Sequence, residues 1–116
     1  MKRKPSKTTL KRKLDRAFSE FIRSRGRCAK CHRSSGVQLQ TAHIFSRANL
    51  AVRWDNDNAL CLCAADHFWA HQNPLLFSKF CEEHLGAERY SQLIMKATMI
   101  KKWTPGELEQ LLKTLQ

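Results

Sequence analysis

Near the start of the chain, apolar positions recur at helical spacing. Leu10, Leu14, Phe18 and Phe21/Ile22 share one face, while Lys11, Arg12, Lys13 and Arg16 fall largely on others. The spacing predicts a helix over about Thr9 to Arg25, with Gly26 as its stop. Residues 1–8 carry Pro5 among their charges and predict a disordered basic tail. After a polar turn from His32 to Gly36, Val37-Gln-Leu-Gln-Thr41 alternates as a half-buried strand does. Phe45 to Asn58 reads as loop, Asn58 to Cys63 as a second strand, and Asp66 to Gln72 as a helix punctuated by Asn73-Pro74. Leu75, Leu76, Phe77, Phe80 and Leu85 predict a further helix stopped at Gly86, and Tyr90, Leu93, Ile94, Ala97 and Ile100 another. Thr104-Pro105-Gly106-Glu107 is a capping box with proline at the first helical position, so a last helix covers Glu107 to Leu115. There is no internal repeat. The expected fold class is α+β: one domain over residues 9–116, with a core over 28–73 and a helical part over 74–116.

At 116 residues the chain can bury one modest core. Its formal charge of +11 is not spread evenly. Residues 1–33 hold thirteen lysines and arginines against two acids, and the remainder holds eight against eight. No apolar run reaches the ~18 residues that span a bilayer, and no apolar stretch follows the basic start as in a secretory signal. A cytoplasmic protein without a membrane partner is expected. The cation block, with Lys11, Arg12, Lys13 and Arg16, points to nucleic-acid phosphate as the partner; a solvated, solubilising face is the alternative.

Five cysteines, an odd number, and no secretion signal argue against disulfide scaffolding. Cys28-x-x-Cys31 is a spacing that points two thiolates at one ion, and Cys63 returns after the inferred strand and loop. A structural zinc site is the expectation; a redox pair and buried free thiols are the other readings of the same residues. A typical knuckle would place its fourth ligand three residues after Cys63, where Asp66 stands. An Asp oxygen can bind zinc. Cys61, His32 and the Cys81-x-x-His84 pair are the other candidates, although a buried thiol and a surface histidine suit the last pair better.

His67 and His71 lie four apart on a helix and so share a face, a natural two-point metal clamp or simply part of an aromatic face with Phe68 and Trp69. His43 closes the first strand, Asn58 opens the second, and His67 begins the helix. Strand, loop, strand and helix with His, Asn and His at these corners resembles the HNH endonucleases, whose finger is of the ββα-metal type. Further pieces resemble the phage recombination nucleases of the NinG/Rap type over about residues 14–95. These are Phe18-Ser-x-Phe-Ile-Arg-x-Arg, His43-Ile-Phe-Ser-Arg47, Val52-Arg53-Trp54-Asp55 and His71-x-Asn-Pro-Leu75.

The resemblance implies a small ββα-metal finger with a zinc knuckle, flanked by N-terminal and C-terminal helices. It makes His43 the general base and Asn58 the residue that orients it across the loop. His67 and His71 become ligands of a catalytic divalent ion (Mg²⁺, or another such as Mn²⁺ or Ni²⁺), apart from a structural Zn²⁺ on the cysteines. It implies hydrolysis of DNA phosphodiesters in phage recombination or processing, on branched or single-strand-containing DNA, with recombination proteins as partners and a phage-infected or prophage-carrying cell as the setting. Arg47 and Arg53 lie close in sequence to His43 and Asn58 and are candidate phosphate ligands; solvated loop charge is the alternative. Two departures stand out: Ala42 occupies a position where many relatives place another metal ligand, and Asp66 replaces a cysteine. Both favour the rival expectation, a catalytically silent zinc-knuckle DNA-binding or adaptor protein.

Overall fold

The computed structural model describes residues 3–115. They form an α+β fold of five α-helices and one two-stranded antiparallel sheet. Helix α1 spans Lys7–Arg23. Ser6 caps it, its hydroxyl accepting from the Thr9 amide at 3.2 Å. The helix therefore starts inside the segment expected as tail, since the cap settles the first turn at Lys7. It also ends two residues earlier than expected, with Gly26 following in a left-handed conformation (φ 76°).

Strand β1 (Leu39–His43) pairs with β2 (Ala59–Cys63) in a register that sets Leu39 opposite Cys63 and His43 opposite Ala59. The alternation over residues 37–41 placed β1 two residues too early; the five residues of β2 determine its extent. Asn58 lies in a short 3-10 turn, Asn56–Asn58, rather than in the strand. Helix α2 (Ala64–Gln72) starts directly on the last residue of β2. Helices α3 (Pro74–Leu85) and α4 (Ala87–Ala97) meet at Gly86, whose φ of 89° makes the corner. Helix α5 (Pro105–Leu115) opens on the expected capping box: Glu107 accepts from the Thr104 amide at 3.0 Å, and Thr104 from the Glu107 amide at 3.2 Å.

Two apolar clusters flank β2. One joins Leu10, Leu14, Phe18 and Ile22 of α1 to Trp54, Ala59, Cys61 and Leu108, with Leu111, Leu112 and Leu115 packed against it. The other joins Cys28, Ala42, Leu60, Leu62, Cys63, Ala70, Phe77 and Cys81. All five residues of β2 are buried, as a strand with a core on each face requires. Trp54 is itself buried, and Trp103 packs edge-on against it, so these rings belong to the core and not to a base-stacking surface. No helix among the described residues is long and apolar enough to cross a membrane.

Leu14 is fully buried where α1 meets α5. Leu14→Ala is expected to cost about 2–5 kcal/mol of stability, read by thermal or urea denaturation. An unchanged transition would mean that this helix pairing does not hold the fold.

Candidate metal centre and histidine cleft

The turn after α1 carries the first two cysteines. It closes through the Cys28 amide to the Arg33 carbonyl (2.9 Å) and the His32 amide to the Cys28 carbonyl (2.9 Å). His32 takes a positive φ of 65° to do so. The Ala29 amide donates to the Cys61 carbonyl at 2.8 Å, which fastens the turn to β2. Cys63 ends that strand, and Asp66 sits in the first turn of α2, where exposed N–H groups favour a carboxylate.

These elements bring Cys28, Cys31, Cys63 and Asp66 together, with their ligand atoms all within 4.8 Å of one another. Asp66 Oδ2 accepts from the thiols of Cys28 (3.1 Å) and Cys63 (3.3 Å), and the Sγ atoms of Cys31 and Cys63 are 3.8 Å apart. Two sulfurs each ~2.3 Å from a tetrahedral zinc stand about 3.8 Å apart, so the donor set fits such an ion. Burial would raise the Asp66 carboxyl, but the three thiols and nearby Lys30 outweigh it and hold the group below its ordinary range. Burial pushes the Cys63 thiol up to about 11, so a bound cation must displace its proton. Of the other candidates for the fourth ligand, Cys61 and Cys81 are buried in the two cores, His32 is exposed on its turn, and His84 stacks on Phe80.

A second site lies where the end of β1 and the loop after it face α2 and the start of α3. His43, Ser46, His67, His71 and Phe77 line one cleft of about 310 Å³. His43 ends β1, and Asn58 faces the loop that leaves it. The fully buried Asn58 side chain accepts from the Phe45 amide at 2.7 Å and donates to the Phe45 carbonyl at 3.1 Å. Its backbone carbonyl accepts from the Ile44 amide at 2.8 Å. The chain just beyond His43 is thus held at three points. His43 is half-buried against the Phe18 ring, 5.8 Å away. Burial, followed by the positive charge of Arg47, lowers its pKa below the ordinary histidine value.

His67 and His71 approach each other, their Nε2 atoms 3.2 Å apart, close enough to share one ion or one proton. Burial and the neighbouring His71 lower the His67 pKa. His43 adds no third donor to this pair: among the described residues, the Cys-Asp cluster is the one group of three or more metal-ligating side chains. Ala42 packs its methyl into the core.

Arg53, expected at a phosphate, is committed elsewhere. Its guanidinium forks onto Asp15, Nε to Oδ1 at 3.1 Å and a terminal nitrogen to Oδ2 at 2.6 Å, and its side chain is only 18% exposed. Trp54 Nε1 also donates to Asp15, at 2.9 Å. Arg47 is 62% exposed and reaches Asp15 only at 3.5 Å, leaving it as the available cation beside His43. Lys11 is half-buried on α1, while Arg12, Lys13 and Arg16 are exposed; the last two border a groove between α1 and α5. Sequence reasoning missed Asp15 and Gln40. Asp15 is the carboxylate that gathers Arg53, Trp54 and Arg47. Gln40 accepts a hydrogen bond from His67. An acid on a basic helix carries no distinguishing pattern. The signal that could have found Gln40 is its even spacing from Ala42, which sets both on one face of β1.

Comparison with protein-family models, with characterised proteins and with solved structures returns no match for this chain.

Protein prepared without chelator is expected to carry one tightly held zinc per chain by elemental analysis, and its removal is expected to lower the melting temperature. Cys28→Ser should lower both the zinc content and the melting temperature. Protein that carries no metal and does not respond to added zinc would refute the centre.

Proposed function

We propose that this chain is a metal-dependent DNA endonuclease built on an HNH-type ββα-metal finger, with the cysteine cluster as a zinc knuckle that clamps it. The observation that carries the reading is the grip of Asn58 on both sides of Phe45, next to a half-buried His43 that opens onto the same cleft as His67 and His71. A neutral imidazole whose pKa is lowered keeps its lone pair at pH 7 and can take a proton from a water. That water's oxygen then attacks phosphorus, and the bond to the 3′ oxygen breaks. Asn58 acts at a distance from the reacting atoms by fixing the backbone beyond His43. Arg47, exposed beside His43, would hold a neighbouring phosphate, and Arg12, Lys13 and Arg16 would supply attraction to DNA independent of sequence. A divalent ion on His67 and His71 would relieve the charge that develops on the phosphate and the leaving oxygen.

Two imidazoles without a carboxylate suit Ni²⁺ better than Mg²⁺ or Mn²⁺, which prefer oxygen ligands. The wider resemblance supports a role in phage DNA recombination or processing, on branched or single-strand-containing DNA and beside recombination proteins. One observation favours a silent DNA-binding adaptor instead. The buried Ala42 methyl leaves two histidine donors, at a position where many HNH nucleases place another metal ligand. That reading predicts salt-dependent DNA binding and no cutting with any ion.

The enzyme is expected to nick supercoiled plasmid with Mn²⁺, Ni²⁺ or Mg²⁺. His43→Ala should lose roughly 10²–10⁴-fold in rate, the usual worth of a general base. Equal residual cutting by both proteins would sink the assignment.

A pH profile supplies a separate check. Because the His43 pKa lies below its ordinary value, the base stays neutral as pH falls through 6.5. The acid limb of kcat/KM is therefore expected below pH 6.5, with activity lost only as pH drops through the lowered value. An acid limb above 6.5 would contradict this environment for His43.

A further inference from the structure

We infer that Gln40 is a positioning residue that selects the metal-competent tautomer of His67, an inference that rests on reading His67 and His71 as the holders of a divalent ion. Gln40 stands on β1 opposite Leu62, and its Oε1 is 2.8 Å from His67 Nδ1. Its amide nitrogen donates to Gln38 Oε1 at 3.3 Å, which turns the Gln40 oxygen toward the imidazole. An amide oxygen has no proton to give, so it accepts, and His67 must carry its ring proton on Nδ1.

The lone pair of His67 is thereby left on Nε2, the atom that faces His71 Nε2 across 3.2 Å. In the ion-free protein, His71 is then the donor of that contact and His67 the acceptor. A bound cation would meet a lone pair on His67 that is already formed and aimed. Metal-binding histidines commonly have the second nitrogen tied to a carbonyl or carboxylate, and losing that partner typically weakens metal binding 10–100-fold.

Gln40 occupies the place of such a partner, but it comes from the strand that also ends in His43. One strand therefore presents the base and sets the protonation of the ligand. Gln38 directly precedes β1 and its carbonyl accepts from the Ala64 amide at 2.9 Å, so the chain is extended there and residues 38 and 40 fall on one side of it. Nothing in this arrangement depends on a charged group. The tautomer is held by hydrogen-bond direction alone.

The test uses full-length protein with its cysteine cluster loaded with zinc. Long-range ¹H–¹⁵N correlation of the histidine side chains, without a second metal, should report His67 protonated on Nδ1 in the wild type. Gln40→Leu should shift it toward the Nε2-protonated form. Calorimetric titration with Ni²⁺ should then show 10–100-fold weaker binding for Gln40→Leu and wild-type or tighter binding for Gln40→Glu, which restores an acceptor. Unfolding curves for the three proteins should coincide. A wild-type His67 protonated on Nε2 would overturn the inference, as would Ni²⁺ affinity unchanged in Gln40→Leu. Absence of DNA cutting would overturn the nuclease reading alone, because the tautomer and the Ni²⁺ affinity are read without DNA.

Discussion

A five-residue strand buried on both faces is the constraint around which this fold is arranged. The Ala59–Cys63 strand has no solvent side. Its first four positions alternate between the two cores, Ala59 and Cys61 in the cluster of the first helix, Leu60 and Leu62 in the other, which Cys63 joins where the strand ends. A strand in that position cannot slip by one residue without exchanging the contents of both cores. Its two ends inherit that rigidity. At one end Asn58 grips the loop behind His43, and at the other Cys63 joins Asp66 in the metal cluster. Asp66 and His67 are neighbours in one helical turn, so the cluster and the cleft share their support.

How much of this could be read from the residues depended on how local each signal was. The capping box of α5 and Pro74 at the start of α3 are written in adjacent residues, and both appear as expected. The α1 stripe was legible because Leu10, Leu14, Phe18 and Ile22 all lie on the buried face. The limits of β1 were not, because they are set by pairing with a strand some twenty residues later. The cysteine cluster was legible from spacing, but its fourth member was not settled by it: strand alternation sets Cys61 on the same face as Cys63, yet Cys61 packs into the first core and Asp66 completes the cluster.

Arg53 illustrates what spacing hides. Nearness in sequence to His43 and Asn58 made it look like a phosphate ligand, yet a carboxylate thirty-eight residues away holds it. Burial would raise the Asp15 carboxyl, but hydrogen bonds from Arg53 and Trp54, with the charges of Arg53 and Arg47, outweigh it and lower its pKa. The excess positive charge is therefore organised as well as abundant. One acid fastens the loop to α1 and leaves Arg47 exposed beside His43, on the side of that residue that faces α1.

The pairing of α1 with α5 has a consequence in time. Leu108 completes the cluster begun by Leu10, Leu14 and Phe18, almost a hundred residues earlier in the chain. A growing polypeptide thus releases the sticky face of its first helix long before the cover is synthesised. Contacts of such long sequence separation are slow to form and leave apolar surface open meanwhile. The same helix bears Lys11, Arg12, Lys13 and Arg16, whose mutual repulsion discourages two nascent copies from associating through that uncovered stripe.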